Sequence, residues 1–224
     1  MKAALLVALA AGVALAGGCA YPTRSRNLAD PNVPPVTLAQ QVCSNCHRIT
    51  GNSVSPAFPN LAGQMRAYIV SQLDNFRSHD RQDPAGSEFM WGISRSLSDE
   101  QIRGLADYFA SQHPAHQPIE GKSERVEAGR TIFERGLPAE NVPPCASCHG
   151  SEGQGQEAFP RLAGQHVDYL VKQLLVFQRT TQRVESGAMR AVAHDLAKTE
   201  MEDVAAYLQA LPNRQDRLVS GRPR

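Results

Sequence analysis

The chain contains two copies of one five-residue pattern, Cys43-Ser44-Asn45-Cys46-His47 and Cys145-Ala146-Ser147-Cys148-His149. Cys-x-x-Cys-His is the attachment signature of c-type haem: the two thiols form thioethers with the porphyrin, and the histidine ligates the iron. A zinc half-site and a redox Cys-x-x-Cys motif are the alternatives. Structural zinc takes four protein ligands where each copy offers three, and a thioredoxin-type motif needs a βαβ context that is lacking. The sequence therefore predicts two covalent haem c groups.

The residues that follow each pattern are repeated as well. Phe58-Pro59-Asn60-Leu61-Ala62-Gly63-Gln64 returns as Phe159-Pro160-Arg161-Leu162-Ala163-Gly164-Gln165. Single residues recur farther along the chain: Tyr68, Gln72, Leu73, Phe76, Met90, Leu97 and Tyr108 return as Tyr169, Gln173, Leu174, Phe177, Met189, Leu196 and Tyr207. Two similar units, each with its own haem pattern, indicate a tandem duplication into two similar domains.

Composition changes along the chain predict six segments. They are a signal peptide (1–18), an N-terminal tether (19–35), a first domain (36–113), a Pro-bounded linker (114–120), a second domain (121–212) and a disordered tail (213–224). Helical spacing of apolar residues predicts helices over 64–79, 98–112, 123–135, 165–179 and 199–211, with a short one from Thr37. Ser98 with Gln101 and Thr199 with Glu202 predict capping boxes. No alternating strand is found, so the predicted fold class is all-α.

The N-terminus predicts export from the cytoplasm. A positive start at Lys2 precedes an apolar run over 3–16 that is too short to span a bilayer. Cys19 is the one cysteine outside the haem patterns, so no disulfide framework is available. The sequence up to Cys19 resembles a bacterial lipoprotein box, although Leu15 lies four residues before the cysteine instead of three. Lipidation of Cys19 and a lipid anchor in the membrane are therefore expected, with ordinary cleavage after Ala16 as the alternative.

The charge balance gives no support for a strongly basic binding face. The chain has 23 basic and 22 acidic residues, and removal of 1–18 takes away one lysine and no acid. The exported chain is therefore neutral before the haem charges are counted. Nothing here predicts nucleic-acid binding.

The second axial ligand of each iron decides its chemistry, and the duplication selects the candidates. Met90 and Met189 align with each other, whereas Met65 and Met201 align with other residue types. Because a ligand needed in both units should recur, we expect Met90 and Met189 to ligate the irons, each from a Gly- and Ser-containing loop. The alternative is that they only fill core space. His194 is a rival to Met189, but it has no aligned histidine in the first unit.

The partner of each axial histidine can also be predicted. An axial imidazole donates its other N–H to a carbonyl or carboxylate, which fixes the ring orientation. Pro59 follows His47 by 12 residues and Pro160 follows His149 by 11. We expect the carbonyl oxygens of these prolines to accept those hydrogen bonds; the alternative is a plain turn proline.

Taken together, these motifs resemble the dihaem cytochrome c4 family. The resemblance covers residues 36–212 and is more specific than a haem pattern alone, because it includes Phe-Pro-x-Leu-Ala-Gly-Gln. It implies two class I cytochrome c domains related by a pseudo-twofold axis, with His/Met haems whose propionates lie near the domain interface. Arg48 stands where the second unit has Gly150. That difference, and a different loop after it, predict unequal haem potentials.

The expected function is electron transfer. An iron with both axial positions filled leaves no place for a substrate, so the chain is expected not to be an enzyme. The resemblance implies a bacterial periplasmic carrier between a quinol-oxidising complex or dehydrogenase and a terminal oxidase or reductase. A dedicated cytochrome subunit of a larger dehydrogenase or oxidase is one alternative. A dihaem peroxidase or thiosulfate-oxidising enzyme is a weaker one, because a peroxidase needs an open iron position.

Overall fold

The computed structural model describes residues 25–84, 86–115, 123–183 and 186–211. Within these residues the regular structure is helical, and the β pairing consists of three isolated bridges without a strand. The all-α prediction is therefore confirmed. The predicted signal peptide, Cys19, most of the linker and the tail lie outside the described residues.

The first unit is built from helices on both sides of its haem pattern. They are α1 (Pro35–Leu38), a π-helical turn (Ala39–Cys43), α2 (Ser44–His47), α3 (Arg66–Arg77), α4 (Gly86–Ser94) and α5 (Asp99–Ala110). The predicted capping box starts α5: Ser98 Oγ accepts from the N–H of Gln101, and the Gln101 side chain accepts from the N–H of Ser98. These bonds satisfy amide groups that the first turn of a helix leaves unpaired.

The second unit repeats this order. Its helices are α6 (Ser123–Arg135), a short 3₁₀ turn (Pro138–Glu140), α7 (Ala146–His149), α8 (Val167–Arg179), α9 (Gly187–Ala193) and α10 (Lys198–Ala210). The predicted capping box at Thr199 and Glu202 is wrong, because α10 begins earlier, after Ala197. Glu200 accepts from the Ala197 N–H at 2.7 Å, while Glu202 binds Arg125 on α6 at 3.0 Å.

Each unit has its own hydrophobic core, centred on its last helix. In the first unit α5 packs against α1 and α3, and in the second α10 packs against α6 and α8. The segment expected to be a tether contributes to the first core: Val33 is fully buried, and Leu28 packs against the same cluster. Its backbone is held by the Gln101 side chain, which donates to the carbonyls of Asp30 and Val33.

A glycine lets two helices approach closely in each unit. A Cβ on Gly129 of α6 would lie 1.9 Å from the carbonyl oxygen of Asp203 on α10. In the first unit, a Cβ on Gly104 of α5 would lie 2.4 Å from the ring of Pro35 on α1. Any side chain at either position would push the crossing helices apart, so the close packing depends on both glycines.

Candidate haem-binding sites and the interface between them

Each Cys-x-x-Cys-His pattern ends on a short helix that brings its three side chains together. Cysteines three positions apart lie on the same face of a helix, and the histidine follows directly. The helix then stops, because the next residue takes a positive φ: 64° at Arg48 and 81° at Gly150. None of the four cysteines is paired in a disulfide.

The two histidines of the haem patterns have the hydrogen-bond partners predicted for them. His47 Nδ1 lies 2.9 Å from the carbonyl oxygen of Pro59, and His149 Nδ1 lies 2.9 Å from that of Pro160. Among the residues that the structure describes, these are the hydrogen bonds of the two rings. Each ring therefore has its Nδ1 fixed and its Nε2 left available as a metal ligand.

The same aromatic residue packs beside each histidine ring. Phe58 meets His47 edge-on at 6.2 Å between ring centroids, and Phe159 meets His149 in the same way at 6.1 Å. The Phe-Pro pair of the repeated motif thus contacts each imidazole in two ways: the phenylalanine ring packs beside it, and the proline carbonyl forms the hydrogen bond with its Nδ1.

Burial shifts the pKa values of the histidine and of the first cysteine in both haem patterns. It lowers the pKa of His47 and of His149, while the bonds to the proline carbonyls act in the opposite direction. Burial also raises the pKa of the Cys43 thiol to about 12 and of the Cys145 thiol to about 11. The neutral imidazole favoured here is the form that binds a metal ion.

The two candidate methionines lie on helices, which corrects the expectation of loops. Met90 lies on α4, half-buried against the first core, and Met189 lies half-buried on α9. The glycine and serine that suggested loops fall at the helix starts, where such residues are well tolerated.

The other candidates have different surroundings. Met201 is fully buried in the second unit, and His194 is exposed at the surface, where its Nδ1 lies 2.7 Å from Asp195 Oδ1. His166 has no aligned histidine in the first unit, yet it is buried, and its Nε2 lies 3.1 Å from the Ser53 carbonyl oxygen of the other unit. Comparing the two repeats could not identify His166, because its contact with Ser53 has no counterpart in the other unit.

The residues present fit a covalently attached haem in each unit. Paired thiols lie one helical turn apart, beside a buried histidine whose Nδ1 is already bonded. Within the described ranges, no three histidine, cysteine or acidic side chains converge as they would in a zinc site.

Comparisons with known proteins agree. Residues 36–113 and 126–212 match the cytochrome c family. Cytochrome c-552 of Acidithiobacillus ferridurans is 41% identical over 75% of this chain and 73% of its own length. The solved structure of Acidithiobacillus ferrooxidans cytochrome c4 is 40% identical, covers 75% of this chain and 98% of its own, and superposes with a TM-score of 0.70.

The chain belongs to the cytochrome c4 family. It is therefore a dihaem electron-transfer protein with two covalently bound haem c groups, and not an enzyme. A chain of the thiosulfate dehydrogenase of Marichromatium purpuratum is also similar, at 32% identity and a TM-score of 0.69. That match covers 80% of this chain but 40% of the dehydrogenase chain.

The repeated motif forms a contact between the two units of the chain. Gln64 and Gln165, which end the two copies, lie just before α3 and α8 and are buried. Each reaches across to the backbone of the opposite copy, Gln64 to Arg161 and Gln165 to Asn60. The sequence suggested only that this motif starts a helix; its place at a pseudo-twofold axis needed the structure.

A buried polar cluster lies on the same axis. Arg81 and Arg183 face each other in an isolated bridge, and their guanidinium groups share the side chains of Gln72 and Gln173. Asp83 is fully buried and accepts from Arg81 Nε at 2.6 Å. Tyr169 and Tyr68 contact the same arginines, so the recurring Tyr and Gln positions are interface residues.

Proposed function

We propose that His47 and Met90 ligate one iron and His149 and Met189 the other. Cys43, Cys46, Cys145 and Cys148 would hold the two porphyrins as thioethers. The fixed Nδ1 atoms of the two histidines support this assignment most directly. When bound, the haems supply a one-electron iron couple, and the protein supplies potential, orientation and insulation.

The surrounding residues act on orientation and polarity. The Pro59 and Pro160 carbonyls hold the imidazoles in one orientation and raise their basicity. A methionine ligand raises the reduction potential, and a buried site favours the less charged state of the iron. These features suit reversible electron transfer, because both axial positions are occupied.

We further propose that the protein works in the bacterial periplasm. Its donor would be a quinol-oxidising complex or a dehydrogenase, and its acceptor a terminal oxidase or reductase. In the described part of the chain, no helix is long and apolar enough to cross a membrane. Membrane association would come from a lipid on Cys19, and mass spectrometry of the mature N-terminus tests this.

A second candidate is a dedicated cytochrome subunit that accepts electrons from one dehydrogenase. The similarity to a chain of a thiosulfate dehydrogenase favours it, since this cytochrome would correspond to part of that chain. Copurification of the native protein distinguishes a free carrier from a tightly bound subunit.

The visible spectrum of the oxidised protein, followed through a redox titration, tests the ligand assignment. We expect two low-spin haems, each with a sulfur–iron charge-transfer band at the red end. Met90→His should lower the potential of one haem and Met189→His that of the other. Met65→Leu is the matched control and should leave both bands unchanged. A high-spin signal, or reaction with peroxide, would contradict the carrier function.

A further inference from the structure

The two units exchange a reciprocal pair of hydrogen bonds through their glutamines. Gln165 Oε1 accepts from the N–H of Asn60 at 2.8 Å, and Gln165 Nε2 donates to the Asn60 carbonyl at 3.0 Å. Gln64 makes the same two bonds with Arg161, at 2.7 Å and 3.0 Å. The arrangement is symmetric although Asn60 and Arg161 are different residues, because only their backbone is used.

One peptide group links each glutamine to an axial histidine of the opposite unit. The carbonyl of Pro59 accepts from His47 Nδ1, and the N–H of Asn60, which belongs to the same peptide group, donates to Gln165. His47, the Pro59–Asn60 peptide and Gln165 therefore form one continuous hydrogen-bonded chain.

The second unit repeats the chain in the opposite direction. The carbonyl of Pro160 accepts from His149 Nδ1, and the N–H of Arg161 donates to Gln64. Each hydrogen-bonded chain thus starts at a histidine in one unit and ends at a glutamine in the other.

Hydrogen bonds in such a chain polarise one another. An acceptor on a peptide N–H draws electron density onto the carbonyl of the same peptide, so that carbonyl becomes a better acceptor; the strengthening is about 10–30% per bond. The donating imidazole then gains basicity, as metal-ligating histidines do when their outer partner is strengthened. A more basic imidazole stabilises oxidised iron.

The glutamines are placed to exert this effect without competition from water. Both are about nineteen-twentieths buried, so an exchanging water would not easily replace them. Each Oε1 also accepts from the next backbone N–H, of Met65 at 2.9 Å and of His166 at 3.1 Å. That second bond fixes the direction in which the amide oxygen points.

We propose that Gln165 lowers the reduction potential of the first haem and that Gln64 lowers that of the second. Each glutamine is a positioning residue that acts across the domain interface through the opposite histidine. The inference rests on the proposed ligation by His47 and His149. It gives the contact between the domains a direct influence on both haems.

Gln165→Leu tests the proposal in the holoprotein. In a Met189→His background the second haem titrates at a lower potential, so the remaining high-potential couple belongs to the first haem. In that background, Gln165→Leu should raise the potential of the first haem. At a fixed solution potential, the ratio of reduced to oxidised first haem should increase about threefold to tenfold. Gln64→Leu should leave that couple unchanged, and in a Met90→His background should instead raise the second potential.

Asn60→Ala is the matched control. It removes another interface bond, from Asn60 Nδ2 to the Gly164 carbonyl at 2.8 Å, but keeps the backbone N–H that Gln165 accepts from. The first potential should stay where it is. If Gln165→Leu fails to fold, Gln165→Asn, whose side chain is one methylene shorter, should raise the first potential in the same direction.

The outcomes separate this proposal from the ligand assignment. Four results would each overturn the crossed influence of the glutamines. Gln165→Leu could shift the potential of the haem in its own unit, shift both potentials equally, or shift neither. Asn60→Ala could also shift the first potential as much as Gln165→Leu does. If Met189→His fails to separate the two couples, the ligand assignment itself is wrong.

Discussion

The residue after each haem-binding histidine differs between the two units, yet the backbone there does not. Arg48 has φ 64° and ψ 159°, and Gly150 has φ 81° and ψ 152°. The loops beyond are closed in the same way: the Gly51 carbonyl accepts from Leu61 at 2.7 Å, and the Gly153 carbonyl accepts from Leu162 at 2.8 Å. Between these points the second loop is one residue shorter and contains a bridge between Gln156 and Phe159. Arg48 thus keeps a conformation that suits glycine, and the two units differ in the loop that follows.

Contacts across the interface also differ between the two units. Ser53 of the first unit contacts His166 through its carbonyl, whereas a Cβ on Gly155 of the second would lie 2.9 Å from Met65 Cγ. A polar contact on one side of the axis is therefore matched by close apolar packing on the other. The surroundings of the two haem patterns thus differ both in the loop and in the side chains at the interface.

The largest expected effect comes from the buried acid that pairs with Arg81. Burial opposes the charge of Asp83, but Arg81, together with Gln173 and Arg183, more than offsets it and lowers the pKa of the carboxyl group. Asp83→Asn should reduce the free energy of unfolding by about 3–5 kcal/mol, because Arg81 would keep a buried charge without its partner.

Guanidinium denaturation of the holoprotein measures this loss. Asp107→Asn is the control, since Asp107 pairs with Arg66 at the surface and should change stability by about 0–1 kcal/mol. Similar losses of unfolding free energy in Asp83→Asn and Asp107→Asn would mean that the buried cluster does not depend on Asp83.

The next largest effect concerns the glycines at the two close helix contacts, α6 with α10 and α5 with α1. Gly129→Ala should destabilise the second unit by about 3 kcal/mol, because its Cβ would meet the backbone of α10. Gly104→Ala should cost less, about 1–2 kcal/mol, because the obstacle is the side-chain ring of Pro35. Thermal unfolding measures both, with Gly92→Ala as the control, where a Cβ would meet no atom within 4 Å. Equal losses at Gly129 and Gly104 would contradict the distinction.

Sequence alone predicted much of what is local or present twice, although the capping box at Thr199 and the loops expected around Met90 and Met189 were wrong. The haem patterns, the capping box of α5 and the proline carbonyls follow from short-range chemistry, and the recurrence of Tyr68 and Gln72 singled out residues that matter. What these residues do could not be predicted, because both contact the partner unit across about a hundred residues of chain. The sequence predicts a tether around Val33, since a single apolar residue among prolines has no periodicity.

Single contacts across the axis were the hardest to predict. His166 had no repeat partner, yet burial lowers its pKa, while the Ser53 carbonyl and Asp168 act in the opposite direction. In the unfolded chain this histidine binds a proton below about pH 6.5, whereas in the folded protein it does so only at lower pH. The unfolded state therefore binds more protons in that window, and stability should fall as the pH decreases from 7.5 to 5.5.

Titrating the unfolding free energy over this range checks the contribution of His166. The slope for one group is at most about 1.4 kcal/mol per pH unit. His166→Gln should flatten the profile, whereas His113→Gln, at an exposed position, should leave it unchanged. A profile that keeps its slope in His166→Gln would assign the pH dependence to other groups.

The smallest expected effect concerns Arg48, the residue that follows His47. A non-glycine residue at φ 64° and ψ 159° is strained by about 1–3 kcal/mol, but glycine loses about 0.5–1 kcal/mol more entropy on folding. Arg48→Gly should therefore stabilise the first unit by about 1 kcal/mol, and Gly150→Ala should destabilise the second. Because Arg48 is exposed and its backbone already follows the path of Gly150, the potential of the first haem should change little. A large shift in that potential would mean that the Arg48 side chain, and not the interface, makes the two haems unequal.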